Sequence, residues 1–348
     1  LMGGMNGFEI AGHHLAPGER RTVNLPISVL SDHTPATLSV HVVHGRKPGP
    51  TMFVSAAVHG DEIIGVEIVR RILRTTQLDR LRGTLLAIPI VNSYGFMNHS
   101  RYLPDRRDLN RSFPGSQTGS LAARLAALFM QEIVKRADYG IDLHSAAIHR
   151  TNLPQIRVSP SKQETMELAE CFGAPLVMTS KVRDGSLRAA AQDAGIDVLL
   201  YEAGEGLRFD EFAVRAGVKG VLRVMHKVGM LSEKGISRSK VKPLLSDSSY
   251  WVRAPAGGLL RTFKTVGEQV VAGEMLGMIS DPFGEAEAEI TARQPGVIVG
   301  RSNLPVVNEG DGLFHVAMVR KGVDASETID GIAAQLDADP LFDEDEII

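Results

Sequence analysis

His59 and Glu62 stand three residues apart where the apolar run Val54-Ser55-Ala56-Ala57-Val58 gives way to His59-Gly60-Asp61-Glu62. An imidazole and a carboxylate so spaced at a strand-to-helix turn can converge on one ion. A hydrolytic zinc site takes three protein ligands and keeps a position for water. His144, closing the segment Tyr139-Gly140-Ile141-Asp142-Leu143, is the natural third ligand. Asp142, two residues earlier, points to the same face of that strand, where it could support the site or make an unrelated sheet contact. A bare His-x-x-Glu pair is common by chance. Its weight here comes from agreement, because His59, His144 and Glu202 each end a different apolar segment, and burying a lone carboxylate is costly.

The segments that would position these residues alternate in type. A period-two run over 37–44 predicts a half-buried strand, and the nearly continuous apolar run over 51–58 predicts a strand covered on both faces. Helical spacing follows over 63–74, a strand over 84–91, a loop at 92–95, and then a polar, arginine-rich stretch over 96–116 with no period. Connections of that length inside a compact domain are usually functional or disordered, and the residue types favour function. A helix over 121–136, a strand over 139–144, a helix over 163–172, a strand over 175–179, a helix over 187–194, a strand over 198–202 and a helix over 209–230 complete the series. Such alternation predicts an α/β fold, with a mostly parallel or mixed central sheet and helices on both faces. Ligands in such folds collect at the carboxyl ends of the strands, and His59, Asn92, His144 and Glu202 all fall there.

The pattern changes after Gly235. A polar linker leads into short segments punctuated by glycine, which predicts a small C-terminal all-β, barrel-like domain over 246–320. The expected organisation is therefore an N-terminal β extension (1–36), a catalytic domain (37–236), the small β domain, and an acidic tail (321–348). At 348 residues two domains are the natural division.

With 38 Lys and Arg against 41 Asp and Glu, and no basic run, the chain lacks an electrostatic footprint for nucleic acid. No apolar run is long enough to span a bilayer and the N-terminus lacks a signal pattern, so no membrane partner and a cytoplasmic location are expected. Its one cysteine, Cys171, rules out an intrachain disulfide framework and reads as core packing.

Four motifs in order, His59-Gly60-Asp61-Glu62, Asp108-Leu109-Asn110-Arg111-Ser112-Phe113-Pro114-Gly115, Ile141-Asp142-Leu143-His144 and Tyr201-Glu202-Ala203-Gly204, resemble those of the succinylglutamate desuccinylase/aspartoacylase family. That family is a branch of the zinc carboxypeptidase-like hydrolases, and the resemblance covers about residues 38–230. It implies one zinc per chain held by His59, Glu62 and His144, with Glu202 as general base and proton shuttle. It also implies that Arg111 fixes a substrate carboxylate with Asn110 hydrogen-bonding beside it, a task suited to a guanidinium fork. A further arginine should stabilise the oxyanion beside the zinc. Arg101 is the best match and Arg107 the runner-up, since the spacer from Arg101 to Asp108 is longer than in aspartoacylases. Arg157 could bind an acidic substrate group or be a solvated arginine. His149 reads as a loop or supporting histidine, and His13, His14, His33, His99, His226 and His315 as structural or exposed.

Residues 266–277 look like the hairpin of biotinyl/lipoyl carrier domains. The stretch Gly284-Glu285-Ala286-Glu287-Ala288-Glu289-Ile290 contains no lysine, so covalent carriage is disfavoured, and the β domain is expected to frame the active-site mouth or to serve as a contact in a homo-oligomer. The expected activity is zinc-dependent hydrolysis of the amide of an N-acyl amino acid or a related small molecule. The alternatives are a zinc carboxypeptidase acting on short peptides and a metal-binding module without catalysis.

Overall fold

The structure, a computed structural model, describes residues 6–159, 162–319 and 324–339. Its frame is a 13-stranded mixed sheet. Four neighbouring strands are parallel, in the order Arg82–Ile88, Lys47–Ala56, Tyr139–His144 and Val198–Gly204. Antiparallel strands flank them, with Pro35–His44 and Arg20–Val29 on one side and Arg150–Val158 on the other.

Successive side chains of a strand face opposite ways, and the sheet uses both faces. Met52, Val54 and Ala56 join one core with Ile141, Leu143 and the helices Ile64–Arg74, Gln163–Phe172 and Glu211–Lys227. Phe53 and Val58 join a second core on the opposite face, with Leu125 and Phe129 of the helix Leu121–Glu132 and Ala190 of the helix Leu187–Asp193. This is the α/β fold expected, with helices on both faces, and a C-terminal β region follows it.

That region contains a four-stranded antiparallel sheet built from Glu287–Thr291, Met275–Ser280, Gly258–Thr262 and Val306–Val307. It has its own core around Leu260, Leu276, Ile279 and Phe314. Its remaining longer strands, Ser248–Arg253, Gly312–Met318 and Gly296–Ser302, extend the main sheet, because Gly296–Ser302 pairs with Arg150–Val158. One sheet thus runs from the N-terminal strands into the C-terminal region.

Three elements differ from the sequence reading. Arg150–Val158 is an inner strand, unmarked in the sequence because Pro154 and the polar residues Asn152, Gln155 and Arg157 interrupt any apolar alternation. The expected loop at 92–95 opens a short helix, Ser93–Met97, whose first turn is capped by Asn92 Oδ1 accepting from Gly95 N–H at 2.8 Å. Within the stretch read as an acidic tail, Ala325–Asp337 is a helix with Ile332 and Leu336 packed into the first core. Just beyond it Asp339 makes a buried 2.7 Å ion pair with Lys219. Residues 321–323 and 340–348 of that stretch lie outside the described residues. No helix among the described residues is long and apolar enough to cross a membrane.

Candidate active site

His59 and Glu62 sit on the turn that leaves the strand Lys47–Ala56, ahead of the helix Ile64–Arg74. Ala57 takes a left-handed φ of 50°, a strained choice for alanine, and the Glu62 N–H closes the turn on the His59 carbonyl at 3.1 Å. Glycine is obligatory inside it, since a Cβ on Gly60 would lie 2.0 Å from the Gly95 carbonyl carbon. The parallel pairing then sets the other two groups side by side, with Glu202 opposite His144 in register.

His59, Glu62 and His144 are buried, and one donor atom from each lies within 4.8 Å of the others. His59 Nδ1 is 2.8 Å from Glu62 Oε1, and His144 Nδ1 is 2.7 Å from Glu62 Oε2. The far nitrogens face carboxylates: His144 Nε2 lies 2.7 Å from Asp142 Oδ2, and His59 Nε2 lies 3.0 Å from Asp108 Oδ1. An Nε2–H donating to a carboxylate fixes the neutral tautomer and turns the Nδ1 lone pair inward. Two lone pairs and a carboxylate then converge on one buried space, which is unfavourable unless positive charge lies between them.

Protons supply that charge when no cation is present. Burial pulls the His144 imidazole down, but Asp142 and Glu62 outweigh it and hold His144 well above its ordinary value. His59 is raised in the same way, against burial, chiefly by Glu62 and Asp108. Burial pushes the Glu62 carboxyl up, yet the two imidazoles hold it far below the usual carboxylate range. A divalent ion could replace those protons, and two imidazoles with a carboxylate are the donor set of a catalytic zinc site. The residues present fit such an ion.

Arg101 donates from Nη1 to Glu62 Oε1 at 3.2 Å and from Nη2 to Asp108 Oδ2 at 3.0 Å. Arg107 points away, mostly exposed and 3.8 Å from Asp105. Of the two candidates, Arg101 is therefore the one beside the cluster. The cluster opens into a cavity of about 480 Å³, also lined by Asn110, Arg111, Arg157 and Glu202. Asn110 Oδ1 accepts from the Leu187 N–H at 2.9 Å, which leaves its amide NH2 to meet a ligand acceptor. Arg157 has a protein partner, its Nη2 forming an ion pair with Glu202 Oε2 at 3.0 Å.

Residues 48–228 match the succinylglutamate desuccinylase/aspartoacylase catalytic domain. The chain belongs to that family. It is 25% identical over 311 residues to the N-alpha-acetyl-L-2,4-diaminobutyric acid deacetylase of Halomonas elongata, covering 85% of this chain and 90% of that one. Its fold is similar to the product-bound ectoine utilization protein EutE (DoeB) of Ruegeria pomeroyi, with a TM-score of 0.78, 23% identity, and coverage of 86% and 95%. It is also similar to the succinylglutamate desuccinylase/aspartoacylase of Rhodobacter sphaeroides, with a TM-score of 0.76, 25% identity, and coverage of 87% and 96%.

Against the family motifs, sequence reasoning missed several residues of the site. Asp108 opens its motif with no task implied by the resemblance, and is the partner of His59 Nε2. Arg188, on the helix Leu187–Asp193, lines the cavity, and burial followed by Arg157 pulls its guanidinium down to about 10. His315, read as structural or exposed, also lines it, stacked on Trp251 with ring centroids 4.7 Å apart. Trp251 and His315 both come from the C-terminal β region. A period-two pattern cannot signal such contacts, because they depend on pairing within one sheet between strands far apart in sequence.

Proposed function

We propose that this chain is a zinc-dependent deacylase that hydrolyses the amide bond of an N-acyl amino acid. The observation that carries this is the convergence of His59 Nδ1, His144 Nδ1 and the Glu62 carboxylate in a cavity that also holds Glu202. His59, Glu62 and His144 would hold the metal, with Asp108 and Asp142 orienting the imidazoles. Zinc supplies Lewis acidity there, making water a nucleophile near neutral pH and polarising the scissile carbonyl.

Glu202 takes a proton from the attacking water and delivers it to the leaving amine, a shuttle open to a carboxylate that faces a half-open cavity. Arg101, held by Glu62 and Asp108, donates to the carbonyl oxygen as negative charge develops on it. Arg111, with the Asn110 amide beside it, grips the substrate carboxylate. The charge of the cavity supports this choice of substrate. Among the described residues Arg111, Arg150, Lys181, Arg183 and Arg188 line it without an ion pair to a carboxylate, whereas Glu62 and Glu202 are both paired. The relative from Halomonas elongata, by name a deacetylase of an N-acetyl amino acid, supports the same reaction class.

The test is hydrolysis of a panel of N-acyl amino acids and short peptides, with and without a chelator. We expect the N-acyl amino acids to be cleaved, chelation to abolish cleavage and zinc to restore it. Turnover of peptides alone would replace this reading with a carboxypeptidase. Activity indifferent to chelation would remove the metal from it.

A further inference from the structure

We infer that Asn152 and Arg157 are positioning residues that fix Glu202, and that Gly300 of the C-terminal β region gives Asn152 the room to do so. The inference rests on the reading of Glu202 as the proton carrier. Asn152 Nδ2 donates to Glu202 Oε2, and Arg157 Nη2 forms an ion pair with the same oxygen, both at 3.0 Å. Among the described residues no protein group donates to Oε1. One oxygen of the carboxylate is therefore anchored and the other is left to accept the proton of the attacking water.

The strand register explains how both side chains reach one oxygen. Leu200 is opposite Arg157 and Glu202 opposite Gln155, but Gly204 is opposite Asn152, so two residues of one strand match three of the other. A regular pairing would place Asn152 on the face opposite to Gln155 and Arg157. The extra residue of the bulge returns it to their face, in keeping with the tendency of bulges to re-aim side chains beside active sites. Arg157 then approaches Glu202 from one side along the strand and Asn152 from the other.

Gly300 sits opposite Asn152 on the next strand, Gly296–Ser302. A Cβ built there would lie 2.9 Å from Asn152 Oδ1, with its next contact the His315 Cβ at 3.3 Å. The nearest obstacle is the far end of a mobile side chain. Gly300→Ala should therefore be accommodated by swinging the Asn152 amide away, at little cost in stability but with loss of its hold on Glu202. The C-terminal β region thereby acts on the proton carrier through Gly300 and Asn152 without contributing a reacting group.

The experiment combines kinetics on an N-acyl amino acid with crystal structures of Gly300→Ala, Asn152→Ala, the double variant, Arg157→Lys and Arg157→Met. We expect Gly300→Ala and Asn152→Ala each to lower kcat about tenfold with KM unchanged. The double variant should be no worse than Asn152→Ala alone, as befits residues acting through one contact. Arg157→Met should lower kcat further, and Arg157→Lys should recover part of the loss. In the structure of Gly300→Ala, Asn152 should have left Glu202 Oε2. A raised KM with kcat preserved in Arg157→Met would make Arg157 a substrate anchor and overturn the inference, as would Glu202 keeping both partners in Gly300→Ala. The structural readout is independent of turnover. A displaced Asn152 in a protein that cleaves no N-acyl amino acid would sink the proposed function and leave the positioning intact.

Discussion

Asp142 and His144 lie two residues apart on one strand, and Asp142 Oδ2 accepts from His144 Nε2 at 2.7 Å. The other Asp142 oxygen takes the Ser55 hydroxyl from the neighbouring strand at 2.7 Å. The carboxylate is thus fixed from both sides and in turn fixes the ring. Loss of such a partner typically costs about 10- to 100-fold in metal affinity. Asp142→Asn should weaken zinc binding by about that factor, measured by competition with a chromophoric chelator. An unchanged affinity would show that the imidazole is oriented by packing alone.

Arg101 and Arg111 are predicted to fail in different kinetic terms. Arg101 is clamped between Glu62 and Asp108 and is assigned to charge that appears only as the carbonyl is attacked. Arg101→Met should therefore lower kcat by about 100-fold or more with a modest change in KM. Arg111 is exposed and, among the described residues, bonded only to the Asn110 carbonyl. Arg111→Lys removes the two-pronged grip and should raise KM with less effect on kcat. Matching losses in both variants would mean that the two arginines do not divide these tasks.

Gly60 carries a prediction about stability. A methyl group there meets the backbone of Gly95 and Phe96 at 2.0 to 2.2 Å, atoms held in a capped helical turn that cannot move aside as a side chain can. Gly60→Ala should destabilise the protein by about 1–3 kcal/mol and lower its zinc content, since His59 and Glu62 flank the displaced peptide. Thermal melting and metal analysis of the purified variant check both. A variant with unchanged melting temperature and full zinc would show that the two turns separate freely.

The His59–Glu62–His144 cluster was legible because His59 follows and His144 closes a strand whose apolar run is nearly unbroken, so that type, order and position agreed. Asp142 was legible as a support because a period of two puts it on the face of His144. Arg157 was noticed, but its partner was not, since the strand Arg150–Val158 is hidden by Pro154 and by the polar side chains that line the cavity. The residues that make that strand functional are those that erase its pattern. Asp108 and Arg188 reach the site from a loop and from the start of a short helix, where no period assigns a direction. Trp251 and His315 arrive through pairing between regions far apart in sequence, and nothing local encodes that.

His315 gives a prediction with a definite sign in pH. Burial, followed by the nearby Arg157, pulls its imidazole down from the ordinary 6.5 to about 4, while Nε2 lies 2.8 Å from the Ser249 hydroxyl. The folded protein therefore resists a proton that the unfolded chain accepts. Its contribution to stability is complete above about 6.5 and is lost as the pH falls toward about 4. His315→Gln removes the titrating group and retains an amide that can reach Ser249. Melting temperatures recorded from about pH 7 to about pH 4 should fall less steeply for His315→Gln than for the wild type, and the carboxylates common to both proteins cancel in the comparison. Parallel curves would mean that the ring takes up its proton without loss of packing against Trp251, and that the acid sensitivity of the chain originates elsewhere.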